Sequence, residues 1–103
     1  MQRRTKATAV KKKVRDKVLY RDKYCCVSCG SPHSLTMAHI FLSRAKGGLG
    51  IEENLATLCM ECHHKLDNGR KHETQYVDSL VREYMVKMYN IESLEMLKYN
   101  KYK

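Results

Sequence analysis

The 103-residue chain has no tryptophan, one phenylalanine and one proline. No apolar run approaches the roughly 18 residues a membrane span needs, so a membrane partner is not expected. The first residues, MQRRTKATAVKKK, are basic but lead into no apolar stretch, which argues against a secretory signal. Cysteine is present in an odd number, five, without an export signal. A disulfide framework is therefore a poor reading; metal ligation or free thiols in a reducing cytoplasm is a better one. There is no internal repeat, and no low-complexity stretch beyond the basic start. The length fits one small domain with short extensions. Its 43% apolar and 30% charged residues make a globular balance rather than a disordered one.

Acidic side chains are scarce where basic ones are dense. Residues 1–23 hold ten Lys and Arg against Asp16 and Asp22, which is +8 of the formal +9. The excess is a local feature, as expected of an arm or helix laid along a polyanion, since each cation on a phosphate releases condensed counterions. A solvated tail is the alternative reading.

Three segments follow from composition and periodicity. In 1–23, Val10, Val14 and Val18 recur at helical spacing and predict a basic helix over about 10–22. Segment 24–69 carries every cysteine, every glycine and the proline. Within it, Cys26–Ser34 reads as a tight turn. Leu35–Phe41 alternates like a strand, with Leu35, Met37, His39 and Phe41 on one face. The glycine-rich stretch 42–53 reads as a loop and 56–58 as a short strand. Met60–Asp67 reads as a short helix, ended at Asn68-Gly69 by a left-handed cap. In 70–103, apolar pairs four apart, from Tyr76/Val77 to Met88/Tyr89, predict a helix over 74–89 that packs on the central segment. Asn90 breaks it, and Ile91, Leu94 and Leu97 support a further short helix. The fold class expected is α+β: a two-stranded hairpin and short helix stapled by metal, between a basic N-terminal helix and C-terminal helices.

The staple is read from Cys26-x-x-Cys29 and Cys59-x-x-Cys62, two matched pairs with 29 residues between them. Two thiolates three positions apart on a tight turn reach one ion at about 2.3 Å, and two such turns close a structural Zn2+ site. Gly30, after the first pair, tolerates the positive φ such a turn needs. Cys25 is surplus and is expected to be buried as a small apolar residue. A segment with so few large apolar side chains draws folding energy from the ion.

A plain zinc ribbon spaces its pairs by about 15–20 residues. The longer insert here contains His39 at a strand end and Asn54, and His63 directly follows Cys62. On a helix, Cys62 holds the ion while His63 faces elsewhere, and Asp67 lies at i+4 from His63. An imidazole and a carboxylate at that spacing can share a second, harder metal. His33, His64 and His72 are expected at the surface, with His64 a spare ligand.

The run from Arg21 to Asn68, RDKYCCVSCGSPHSLTMAHIFLSRAKGGLGIEENLATLCMECHHKLDN, resembles the HNH endonucleases of the ββα-metal group in their four-cysteine zinc form. The resemblance covers nearly half the chain. It rests on five elements in register: the RDxYxCxxCG start, the HI dipeptide, the GG loop, the ENL step and LCxxCHxxK. It implies His39, Asn54 and His63 as the catalytic His, Asn and His. His39 would take the proton of the attacking water, and Asn54 would hold His39 in orientation. His63 with Asp67 would carry Mg2+ or another divalent ion that neutralises charge at the scissile phosphate. The family typically leaves 5′-phosphate and 3′-hydroxyl ends. Many members place Asp or His before the general-base His; Ala38 stands there. Asp67 is the favoured replacement ligand, with water or weak metal binding as the alternatives. DNA is the implied partner, gripped by Lys11, Lys12, Lys13, Arg15, Arg44, Lys46 and Lys65. The cytoplasm of a bacterial or phage-infected cell is the implied setting. Phage or mobile-element equipment, and a larger nucleoprotein or phage complex, fit a short protein of this kind. Target sequence, nick against double-strand break, and oligomeric state stay open. The competing reading is a non-catalytic, zinc-containing nucleic-acid-binding module with a decayed site.

Overall fold

The computed structural model describes residues 9–89. The further helix expected around Ile91, Leu94 and Leu97 lies outside them, as does the basic start before residue 9. Helix α1 spans Lys12–Arg21, with Val18 fully buried and Val14 half-buried. It ends in two crossed backbone bonds, Tyr24 N–H to Leu19 O at 2.8 Å and Lys23 N–H to Tyr20 O at 3.1 Å. That pattern puts a left-handed residue after the cap, a place glycine usually fills. Here Lys23 and Tyr24 fill it, at φ of 59° and 57°.

Next comes the first cysteine turn. Gly30 N–H bonds Cys26 O, with Gly30 at φ 81°, and Val27 N–H fastens the turn to Thr57 O. Strands β1 (Leu35–His39) and β2 (Leu55–Cys59) form an antiparallel hairpin in the register Leu35↔Cys59 to His39↔Leu55. The strand alternation is present, but the better-buried face is not the one carrying Leu35, Met37 and His39. Ala38, with Ile40 just beyond β1, joins Ala56 and Leu58 in the core.

Helix α2 (Met60–Asn68) follows β2 with no loop, capped by the Cys59 sulfur. The left-handed cap expected at Gly69 is absent: Gly69 is extended, at φ −73° and ψ 172°. Glycine is required there by crowding, because a Cβ would lie 2.5 Å from Lys65 O. The chain passes straight into α3 (Lys71–Met88), started by Glu73, which accepts from Arg70 N–H at 3.0 Å. Of each apolar pair on α3 the second member is the core residue. Val77, Val81 and Met85 pack with Cys26, Ala38, Leu58 and Cys62, whereas Tyr76 stays 66% exposed.

The remaining faces are tied by Arg21 and Asp22. Asp22 receives Arg21 Nε at 2.8 Å, Thr57 N–H at 3.0 Å and Tyr84 Oη–H at 2.6 Å. The Arg21 guanidinium also donates to the carbonyls of Glu52 and Leu55 at 2.8 and 2.7 Å. Two residues thereby join α1, the turn before β2, β2 itself and α3. Burial opposes both charges, but the ionic hydrogen bonds outweigh it. The Asp22 carboxyl is held below its usual range and the Arg21 guanidinium above its own.

Candidate functional site

The two cysteine pairs meet where β2 runs into α2. The four sulfurs lie within 4.8 Å of one another, with Cys29 Sγ and Cys59 Sγ 3.6 Å apart. Tetrahedral zinc with bonds of about 2.3 Å separates its sulfurs by about 3.8 Å, so the four donors are grouped on the scale a zinc ion needs. Backbone N–H groups of Cys29 and Cys62 point at the Cys26 and Cys59 sulfurs from 3.5 and 3.4 Å. Burial, and then the Cys59 sulfur, push the Cys62 thiol up to about 12. At Cys26, burial is outweighed by N–H groups from Cys29 and Cys59, which bring the thiol down to about 7. Four sulfurs this close all become thiolates only around a cation. Cys26, Cys59 and Cys62 are buried and Cys29 is exposed. Cys25 is half-buried rather than buried. It lies on the link out of the Lys23–Tyr24 turn, with its N–H on Asp22 O at 3.3 Å.

His63 sits one residue past Cys62, on the helix face turned to β1. Its Nδ1 is 2.7 Å from Thr36 Oγ1, which is also 2.8 Å from the Leu58 carbonyl. A carbonyl only accepts, so the hydroxyl proton goes to Leu58 and the imidazole Nδ1–H donates to Thr36. The lone pair of a neutral ring is thereby left on Nε2, 3.3 Å from Asp67 Oδ2. Two acceptors at that distance repel unless a proton or a metal ion lies between them. Among the described residues, no third His, Cys or carboxylate closes a ligand group with this pair.

His39 is the last residue of β1, three along from Thr36. Alternation sends its side chain to the sheet face opposite Thr36 and Ala38, so the two histidines do not share a face. Ala38, 1% exposed, is on the His63 side.

Asn54 is fully buried and uses its whole amide. Its Oδ1 accepts from the N–H groups of Phe41 and Leu42 at 3.0 and 3.1 Å. Its Nδ2 donates to the carbonyls of Leu42 and Leu49 at 3.0 and 3.1 Å. With Ile40 N–H on Asn54 O at 2.8 Å, it clamps both ends of the glycine-rich loop directly after His39. Gly48 belongs to the same clamp, since a Cβ there would meet Leu42 O at 2.0 Å.

Lys11, Lys12, Lys13, Arg15, Arg44 and Lys46 are exposed, and Lys65 is half-buried. Lys12 reaches Asp16 at 3.2 Å and Lys65 reaches Glu61 at 3.8 Å, exposed pairs that hold little energy. Arg21, counted with the N-terminal cations by sequence, is withdrawn from that surface into the Asp22 cluster. His33, His64 and His72 are exposed. The Arg21–Asp22 cluster is what sequence reasoning missed as structure. Its signal was the RD dipeptide at the start of the family resemblance.

Residues 26–69 match the family model described as HNH endonuclease. Among solved structures the chain is similar to the type IV phosphorothioation-dependent restriction endonuclease ScoMcrA. The TM-score is 0.56 and the identity 22%, over 76% of this chain and 20% of that one. That likeness is one of fold, and this chain spans about a fifth of the ScoMcrA chain. No curated protein matches the chain. No helix among the described residues is long and apolar enough to cross a membrane.

Proposed function

We propose that this chain, with an HNH endonuclease match across its sulfur corner, hairpin and short helix, is a metal-dependent nuclease that hydrolyses DNA phosphodiesters. The observation that carries the reading is the His63 ring. Its Nδ1 is fastened to Thr36, and its Nε2 faces Asp67 across 3.3 Å, a separation that a proton or a cation can bridge. A divalent ion held by His63 Nε2 and Asp67 would supply charge neutralisation at a scissile phosphate. Thr36 keeps the imidazole aimed through Nδ1, as an outer partner does for a ligand histidine. His39 takes a proton from the attacking water. Asn54 is a positioning residue: it fixes the backbone that leaves His39, two residues downstream, without touching the substrate. Lys11, Lys12, Lys13, Arg15, Arg44, Lys46 and Lys65 bear on the phosphate backbone, which gives affinity without sequence choice. In this reading 1–23 is the gripping arm, 24–69 the catalytic core and 70–103 its helical support.

The test is cleavage of supercoiled plasmid with Mg2+, Mn2+ or Ni2+, comparing the wild type with His39→Ala and Asp67→Ala. Loss of cleavage in both supports the reading; equal activity in His39→Ala removes the catalytic assignment. The second reading, a zinc module that binds nucleic acid without cutting it, is favoured by two features. One is Ala38 at a position usually given to a ligand. The other is the roughly 10 Å of strand between Thr36 and His39, with the two side chains on opposite faces. Duplex binding without cleavage under any of the three metals would decide for it.

A further inference from the structure

Tyr20 and Tyr24 are 75% and 55% exposed, and together with Arg21 and Lys23 they line an open cleft of about 540 Å³. Among the described residues, no aliphatic side chain contributes to its lining. Neither tyrosine takes part in the core or in the proposed hydrolytic site. Their placement is costly to the backbone, because Lys23 and Tyr24 both hold the left-handed conformation at successive positions. Beneath them Arg21 is pinned by Asp22 and two carbonyls, so the cleft has a rigid floor.

One helix face leads into this cleft. Lys13 and Lys17 stand seven and three residues before Tyr20, separations that share a face of α1. Lys17 is 73% exposed and touches Glu52 at 3.4 Å; Asp16, on the flank, is held by Lys12. The approach is thus a short row of cations ending at two tyrosine rings and Lys23.

We propose that this cleft binds an unstacked nucleobase of single-stranded DNA, with Tyr20 and Tyr24 as stacking surfaces and the α1 lysines on the adjoining phosphates. Aromatic rings beside a cationic track are the means by which proteins hold single strands, whereas lysine is depleted from the cores of protein interfaces. The inference rests on the chain acting on DNA, and it adds a preference for exposed bases that duplex gripping alone does not give.

The experiment is fluorescence anisotropy of the zinc-loaded full chain on a labelled 12-nucleotide single strand and on the matching duplex, without added Mg2+. Tyr20→Ala and Tyr24→Ala are each expected to weaken single-strand binding by about 5-fold or more. Tyr20→Phe and Tyr24→Phe retain it, and duplex affinity and the salt slope stay unchanged. Single-strand affinity that is the same in both Ala variants overturns the inference alone. A shift in oligomeric state in those variants, with binding unaltered, does so as well and makes the cleft a protein contact. A wild type that binds neither DNA form overturns this inference together with the nuclease reading.

Discussion

The hairpin is held at both ends, by different physics. At the Leu35↔Cys59 end, the last residue of β2 is a ligand in the sulfur cluster, and α2 with His63 starts directly from it. At the His39↔Leu55 end, the side chain of Asn54 makes four hydrogen bonds that close the loop between the strands. The first clamp depends on an ion that a chelator can remove. The second is covalently part of the chain and always present. The consequence is an asymmetry in what can be switched off: His63 stands at the metal-dependent end, and His39 at the end that carries its own fastening.

Metal removal is the largest test of that asymmetry. Structural zinc in small domains supplies on the order of 10 kcal/mol of apparent binding energy, which here is folding energy. Chelation, or Cys59→Ser, should therefore melt residues 24–69 from the sulfur corner outward, seen as lost helical signal in far-UV circular dichroism. Amide exchange during partial chelation should find α2 unprotected before the backbone around Asn54. Simultaneous loss at both ends would mean that the two clamps are not separable. Purified, unreduced protein without zinc by elemental analysis would count against the ion itself.

The other clamp is broken by Asn54→Asp, which is isosteric but loses both N–H donors and turns a carboxylate toward the carbonyls of Leu42 and Leu49. A cost of about 3–4 kcal/mol is expected from the urea midpoint, for two lost bonds and buried groups left unpaired. Zinc content should not change. If it falls, the loop and the sulfur corner are coupled through the strands.

These two ends were unequally legible in the sequence. Cysteine spacing is a local signal with few physical meanings, and it led to the cluster correctly. The apolar spacing of α1 and α3 was legible for the same reason, although α3 buries Val77, Val81 and Met85 and not Tyr76. Asn54 was found through the family pattern, but its work on Phe41, Leu42 and Leu49 requires knowing the path of the loop. Arg21 and Asp22 were harder still. Their partners lie 31 to 68 positions away, and a lone Arg in a basic segment reads as one more surface cation. Gly69 shows the converse error, since Asn-Gly is a turn signal only when the chain turns, and here it runs extended between two helices.

The Arg21–Asp22 cluster stands midway between the clamps, and pH sharpens the comparison. Asp22 has a folded pKa below its unfolded value, so its contribution is present above the unfolded carboxyl range near pH 4 and fades as pH falls further. Tyr84, whose hydroxyl donates to Asp22, is pushed up to about 12 by burial and by that carboxylate. Its contribution is full below the ordinary tyrosine range near pH 10 and is lost as pH rises through about 12. Tyr84→Phe should flatten the alkaline limb of a stability-against-pH curve and cost about 1.5–3 kcal/mol at neutral pH, as for a bond to a charged group. An alkaline limb unchanged by Tyr84→Phe would show that this hydroxyl does not set it.

The smallest effect expected is a gain. Lys23 occupies the left-handed position after α1 at φ 59°, where a β-carbon is penalised. Lys23→Gly relieves that strain but frees more of the unfolded chain, so the net stabilisation is about 0.5–1 kcal/mol, read as a rise in the urea midpoint at constant slope. The substitution lies outside both clamps, so zinc affinity and the Asn54 loop should be indifferent to it. If the same variant also loses affinity for a single strand, the strain at Lys23 is retained for the charge it carries beside Tyr20 and Tyr24. If affinity is unchanged, Lys23 lines that cleft without a share in the binding, and the twist in the backbone serves only to start the cysteine turn.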